Sequence, residues 1–281
     1  MPSATEIIFA LDAAEHVAGI TYHSSSQQGA AGKAVIGGFT SPSVERIAGL
    51  RPDLIIASDT HQEIMQDLEK LAPVLVFNTK RMEDAFRHIS LMGDLFQKHD
   101  STEKIISENK EMLALIAEKI SRIPEEKRQR VMRLTGKNGI TTPGNDSFQN
   151  EMIRAAGGIP PDFGEDGQAV PVSREQFIAF NPQFIYGCGH DKPAANVLLQ
   201  REGWNAVDAV KNRNIQSFPC DLTDRASSQL GYFISWLSSL IYREEFSDAA
   251  NEALKREIVS ERTVPLDLDF VKKAVVANSI V

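Results

Sequence analysis

The sequence predicts an α/β protein of two lobes, each a central, mostly parallel sheet flanked by helices, bridged by one long rigid α-helix. Three observations carry this. One sixteen-residue phrase is written twice. Helix and strand patterns alternate along both halves of the chain. An unbroken helical pattern of about six turns lies between them.

The repeat comes first. SVERIAGLRPDLIIAS begins at Ser43 and SREQFIAFNPQFIYGC at Ser173, 130 positions later. Superposed, Ser43 meets Ser173, Glu45 meets Glu175, Pro52 meets Pro182 and Ile55 meets Ile185. Each serine suits a helix N-cap, and the glutamate two places on lies where the helix dipole favours negative charge. Ile47 and Leu50, like Phe177 and Phe180, are spaced for one helix face. The residue before a proline avoids helical geometry, so Arg51-Pro52 and Asn181-Pro182 end these helices. Asp53–Ala57 and Gln183–Gly187 then read as buried parallel strands. Chance recurrence of a common helix–proline–strand unit is the alternative to duplication. The identities and the matching apolar positions favour duplication.

The alternation continues on either side. A helix is expected over 5–11, a strand over 16–21, a helix over 61–71 and a strand over 74–77. The second half adds a strand over 131–135, a helix over 147–156, a short helix over 196–200 and a strand over 215–218. Such alternation implies parallel sheets covered by helices. Between the halves, 82–123 is helical. Its second helix takes Ser101 as cap, carries an apolar stripe through Ile105, Met112, Ile116 and Ile120, and stops before Pro124. The expected division is a first lobe over 1–98, a connecting helix over 99–124, a second lobe over 125–250 and a C-terminal extension over 251–281.

The totals exclude some classes. The chain has 281 residues, a net charge of −8, 42% hydrophobic and 24% charged residues. That is a globular composition, and an acidic one without basic runs argues against nucleic acid. No apolar run reaches the length of a membrane span. The dinucleotide, phosphate-loop and nucleophile-elbow motifs are absent. Cys188 and Cys220 form no zinc-type spacing; their number allows either a disulfide or two buried thiols.

PSATEIIFAL, GGFTSPSVERIAGLRPDLIIAS, the helical stretch, SFQNEMIRAAGG, VSREQFIAFNPQFIYG and DRASSQLGYFISWLSSL follow one another along the chain. In that order they resemble the substrate-binding proteins of ABC importers for cobalamin, haem and ferric siderophores, over about residues 2–245. The resemblance implies a binding protein rather than an enzyme, consuming no cofactor. It implies a monomer that holds a metal chelate in the cleft between its lobes, in a periplasmic or extracellular, membrane-associated setting. The partner implied is a dimeric ABC permease, docked through one surface glutamate per lobe; the matching positions are Glu45 and Glu175. Favourable placement at a helix N-terminus is the alternative reading of both. Members of this family carry an exported leader and a first strand before the PSxTE motif. Met1 stands where that strand should finish, so a longer native chain is expected, and the tail after Thr263 has no counterpart in the family pattern.

Parallel α/β sheets gather ligands at the carboxyl ends of their strands. In the first lobe those ends offer Tyr22, His23, Phe39, Asp59, Thr60 and His61. In the second they offer Phe148, His190, Asp191 and Arg225. By the resemblance, Phe39 stands where cobalamin binders place an aromatic on the corrin, and Arg225 where an arginine reaches the ligand. As alternatives, Phe39 belongs to the core and Arg225 pairs with Asp224 or caps a helix. Neutral His23, His61 or His190 could ligate haem iron or corrinoid cobalt, although loop histidines are more often solvated. With an exported family in view, a Cys188–Cys220 disulfide is expected beside the cleft, ahead of a pair of metal-binding thiolates. A corrinoid leads as ligand because SREQ and DRAS resemble that branch; a ferric siderophore or haem follows. Two other classes remain: a receptor for bare zinc or manganese ions, and a nitrogenase-like metalloenzyme built on Asp59, His61, His190 and Asp191.

Overall fold

The computed structural model describes residues 1–135, 140–189, 197 and 202–242. They form two compact units. Among the described residues, the first comprises Met1–Thr79 and Glu83–Ser107, the second Lys80–Met82 and those between 108 and 242.

The first unit opens with α1 (Pro2–Ala10). Proline suits a helix start, where its missing N–H would have no partner anyway, so the helix begins three residues before the predicted Thr5. Its Ala4, Ile7 and Ile8 pack with Leu11, Phe77, Ile89 and Met92. Two short parallel pairs follow. β1 (Gly19–Ile20) lies beside β2 (Ala34–Val35). After α2 (Val44–Leu50), β3 (Ile55–Ala57) is joined across α3 (Met65–Glu69) to β4 (Val74–Val76), with Ile55 opposite Val74.

Two elements differ from the sequence pattern. The strand expected over 16–21 is only Gly19–Ile20, because 14–16 coils into a 3-10 turn in which Val17 donates to the Ala14 carbonyl. The helix expected over 61–71 is a 3-10 segment, Asp59–Ile64, kinked at His61, followed by α3.

The long helical stretch is two helices, α4 (Met82–Phe96) and α5 (His99–Ser121). Gln97 turns the chain between them at φ 55°. Ser101 is not the cap of α5. Thr102 donates to the Lys98 carbonyl, so helical bonding has begun before Ser101 is reached. α5 has 23 residues; those to Ser107 belong to the first unit and those from Glu108 to the second.

The second unit runs β5 (Val131–Arg133), β6 (Thr141–Thr142), α6 (Phe148–Ala155), β7 (Val170–Pro171), α7 (Arg174–Phe180), β8 (Phe184–Cys188), α8 (Asp208–Lys211), β9 (Ile215–Phe218), α9 (Cys220–Thr223) and α10 (Leu230–Ile241). β5, β8 and β9 form a parallel sheet in that order. β6 and β7 add a small antiparallel pair that the alternation did not suggest. Met132, Leu134, Phe177, Ile185 and Trp204 form its core. Of the helix expected over 196–200, Val197 is described and is helical; the rest lies outside the described residues, as does the chain beyond Tyr242.

The repeated phrase folds the same way twice. Ser43 accepts from the Arg46 N–H, and Ser173 from the Gln176 N–H. Both helices have seven residues, and both end on a left-handed residue, Arg51 at φ 48° and Asn181 at φ 47°. Non-glycine residues enter that region at a cost of about 1–2 kcal/mol. The same local cost at two corresponding positions is a structural signature of the duplicated phrase.

Candidate functional site

The first unit brings its candidate residues into one network. The chain leaves β1 and turns at 22–24 as a 3-10 helix. Tyr22 donates its N–H to the Gly37 carbonyl at 3.0 Å. Tyr22 is 59% exposed, and its ring stacks on His23, centroids 4.1 Å apart. The loop after β2 folds back tightly: Ser43 donates to the Ile36 carbonyl at 2.7 Å, and Gly37 bridges to Pro42. Gly37 has φ +115°, and a Cβ there would stand 2.9 Å from the Ser41 carbonyl, so glycine is required. Phe39 lies on this loop, half-buried.

Two histidines hold Phe39. Its N–H donates to His23 Nδ1 at 3.3 Å. Its carbonyl lies 2.6 Å from His61 Nε2. The tautomer of His61 follows from its other nitrogen. Nδ1 receives the Ser58 N–H at 3.0 Å, so the ring proton sits on Nε2 and is donated to Phe39. The two rings also meet edge to face at 5.2 Å. His61 is 6% exposed with both nitrogens engaged. It supports the loop from beneath rather than offering an open ligand position. Asp59 and Thr60 are exposed beside it, and Asp59 is fixed through its N–H to Asn78 at 3.0 Å.

The second unit collects charge and sulfur at the ends of β5, β8 and β9. Cys188 closes β8 opposite Phe218 of β9, and Cys220 follows two residues later. They are joined in a disulfide with Cα atoms 4.6 Å apart, as the family resemblance implied. Asp224 lies close to both sulfurs. Metal binding by sulfur needs thiolates, and the bridged pair has none to offer. Arg225 pairs with Asp221 at 2.8 Å, its side chain 9% exposed. Asp224, the partner considered from sequence, instead binds Arg133 of β5. Phe148 is 9% exposed and counts among the buried apolar residues. His190 and Asp191 lie outside the described residues.

Sequence reasoning missed Arg133 and Tyr186. Arg133 sits in a buried strand with a 4% exposed side chain. A lone arginine in an apolar strand pattern is a usable signal, since a buried guanidinium requires a partner. Burial pushes the Tyr186 hydroxyl far above the usual phenol range.

In the first unit the arrangement offers an exposed Tyr22 beside half-buried Phe39 as a binding surface; in the second, buried arginines are paired with carboxylates. The family model described as periplasmic binding protein matches residues 1–222. The chain belongs to that family. This periplasmic binding protein is similar to the ABC transporter substrate-binding lipoprotein YvrC of Bacillus subtilis, at 24% identity over 255 residues, 88% of this chain and 80% of YvrC. It is 24% identical to the vitamin B12-binding protein of Vibrio campbellii over 233 residues, 81% of this chain and 82% of the relative. In fold it matches the periplasmic heme-binding protein RhuT from Roseiflexus sp. RS-1, with a TM-score of 0.74 at 21% identity, over 86% of this chain and 95% of RhuT. The two-lobed α/β class is thereby shown, and the family is one of transport binding proteins, not enzymes. Its setting is extracytoplasmic. Among the described residues no helix is long and apolar enough to cross a membrane.

Proposed function

We propose that the chain captures a metal chelate, a corrinoid or a ferric complex, and delivers it to a dimeric ABC permease through Glu45 and Glu175. Tyr22, His23 and Phe39, with Asp59 and Thr60 at the rim, supply the first unit's contacts; Arg225 and the 190–191 segment supply the second's. The observation that carries this reading is the exposed Tyr22 ring with half-buried Phe39 on a braced loop, in a chain of this family. Flat aromatic faces are what a macrocycle or an aromatic chelator packs against. Cobalamin leads because SREQ and DRAS resemble that branch; relatives named for vitamin B12 and for ferric dicitrate support the two chelate classes alike. A second reading, haem or a ferric siderophore, draws on Tyr22, since an exposed phenol can ligate ferric iron.

Fluorescence titration tests it. Purified protein is titrated with cyanocobalamin, haemin, ferric citrate and a ferric catecholate siderophore, corrected for ligand absorbance. Saturable one-to-one quenching by one of them, weakened on Phe39→Ala, is expected and names the ligand class. Binding of none, with tight binding of bare Zn²⁺ or Mn²⁺ in calorimetry, would replace the chelate reading with that of an ion receptor.

A further inference from the structure

We propose that His23 and His61 are positioning residues for ligand capture: two imidazoles that clamp the backbone of Phe39 and fix how its ring meets the chelate. This rests on the function proposed above. Phe39 follows Gly37-Gly38, the most permissive backbone pair in the loop. Left to itself such a loop samples many orientations, and ordering it on binding would subtract from affinity. The clamp removes that freedom beforehand. His23 Nδ1 receives the Phe39 N–H at 3.3 Å, and His61 Nε2 donates to the Phe39 carbonyl at 2.6 Å. His61 is in turn fixed by the Ser58 N–H at 3.0 Å, with Ser58 Oγ 3.2 Å away. His23 carries Tyr22 stacked on its ring at 4.1 Å. One connected set therefore sets both aromatics. Ligation of a metal through Nδ1 would displace the Ser58 N–H, and through Nε2 the Phe39 carbonyl, whereas positioning uses both nitrogens.

Conservative variants separate the roles of the two nitrogens. His61→Asn keeps an acceptor for the Ser58 N–H and loses the donor to Phe39; His61→Gln keeps a longer N–H donor. His61→Asn is expected to weaken binding of cyanocobalamin or haemin about tenfold in the native background, and less than about twofold in Phe39→Ala, because the two residues act as one unit. His61→Gln should recover most of the loss. In the ligand-free protein, long-range ¹H–¹⁵N spectra should show the His61 proton on Nε2, and the Phe39 amide should exchange faster in His23→Ala. Equal losses from His61→Asn in both backgrounds, or a proton on Nδ1, would overturn the clamp while leaving the binding function standing. Failure of the native protein to bind any of cyanocobalamin, haemin, ferric citrate and the ferric catecholate would instead overturn the functional reading, and this proposal with it.

Discussion

Tyr186 shows what a single side chain can hide. Its ring is fully buried between Phe218 and Phe233, and its hydroxyl has no hydrogen-bond partner among the described residues. An unpartnered buried hydroxyl carries a desolvation penalty of about 1–3 kcal/mol. Tyr186→Phe is therefore expected to leave stability unchanged or raise it by about 1 kcal/mol in urea titrations; a loss above that would mean the hydroxyl has a partner. His88 gives a pH-dependent case. It stacks on Phe77 at 4.0 Å, and burial lowers its pKa below the ordinary 6.5. The folded state thus prefers neutral imidazole while the unfolded chain takes up the proton more readily. Stability from this site is present above about pH 6.5 and is lost as pH falls through the depressed folded value. His88→Gln should flatten that part of the stability–pH curve, measured by thermal melts between pH 7.5 and 5. At this scale the sequence exposed residue types but not their partners. Phe39, His23 and His61 were each legible as strand-end residues. That both histidines grip one phenylalanine backbone depends on loop closure across 22 residues of chain, which no local pattern encodes.

The elements were more legible, because periodicity and capping act locally. α2 and α7 could be read to the residue from Ser43, Ser173 and the two prolines, and β9 spans the expected 215–218. The strand over 16–21 was overread because apolar alternation does not report a 3-10 turn. Arg133 was passed over because its strand looked apolar. Its pairing with Asp224 ties β5 to the turn after α9, and the Cys188–Cys220 bridge ties β8 to α9 itself. Two cross-links thus hold one short helix against the ends of two strands. The bridge closes a loop with a sequence separation of 32, for which loss of the cross-link costs about 2–4 kcal/mol. The double variant Cys188→Ser/Cys220→Ser should be destabilised by that amount, and dithiothreitol should shift the native protein but not the variant. Asp224→Asn should cost about 1–3 kcal/mol by removing a negative charge from beside a buried guanidinium. Arg133→Met is expected to cost less, since Asp224, 43% exposed, can return to water. Reversal of that order would show the arginine to be held by other groups. Helix packing adds a further constraint: a Cβ on Gly93 would fall 1.9 Å from Thr102 Oγ1, so α4 and α5 approach as they do only because position 93 is glycine. Gly93→Ala should cost about 1–3 kcal/mol, read from the urea midpoint.

At the scale of the whole molecule the repeated phrase asks for a reason that stability does not provide. Capping would be served as well by aspartate or serine near either helix start, yet Glu45 and Glu175 stand at the same place in α2 and α7, and both are exposed. Glu175 is 77% exposed, and its ion pair among the described residues is with the exposed guanidinium of its neighbour Arg174, at 3.6 Å; such a surface contact contributes little. Each glutamate therefore remains open to an outside cation. A partner with two-fold symmetry presents the same surface twice, and a chain carrying the same helix–glutamate unit in each of its two units can meet it twice. Exposed charge pairs of this kind govern encounter rate and salt dependence more than resting affinity. Glu45→Arg/Glu175→Arg should leave chelate binding in solution unchanged and abolish uptake by cells carrying the permease. Either single reversal should slow uptake about tenfold, more so at low ionic strength, where unscreened charges reach farther. A double variant that still supports uptake would remove the docking role from both glutamates. The duplication would then record only a shared way of starting a helix and stopping it at a proline. Loss of uptake together with loss of chelate binding would point instead to damage in the fold, which the unchanged melting of the variant must exclude before docking is credited.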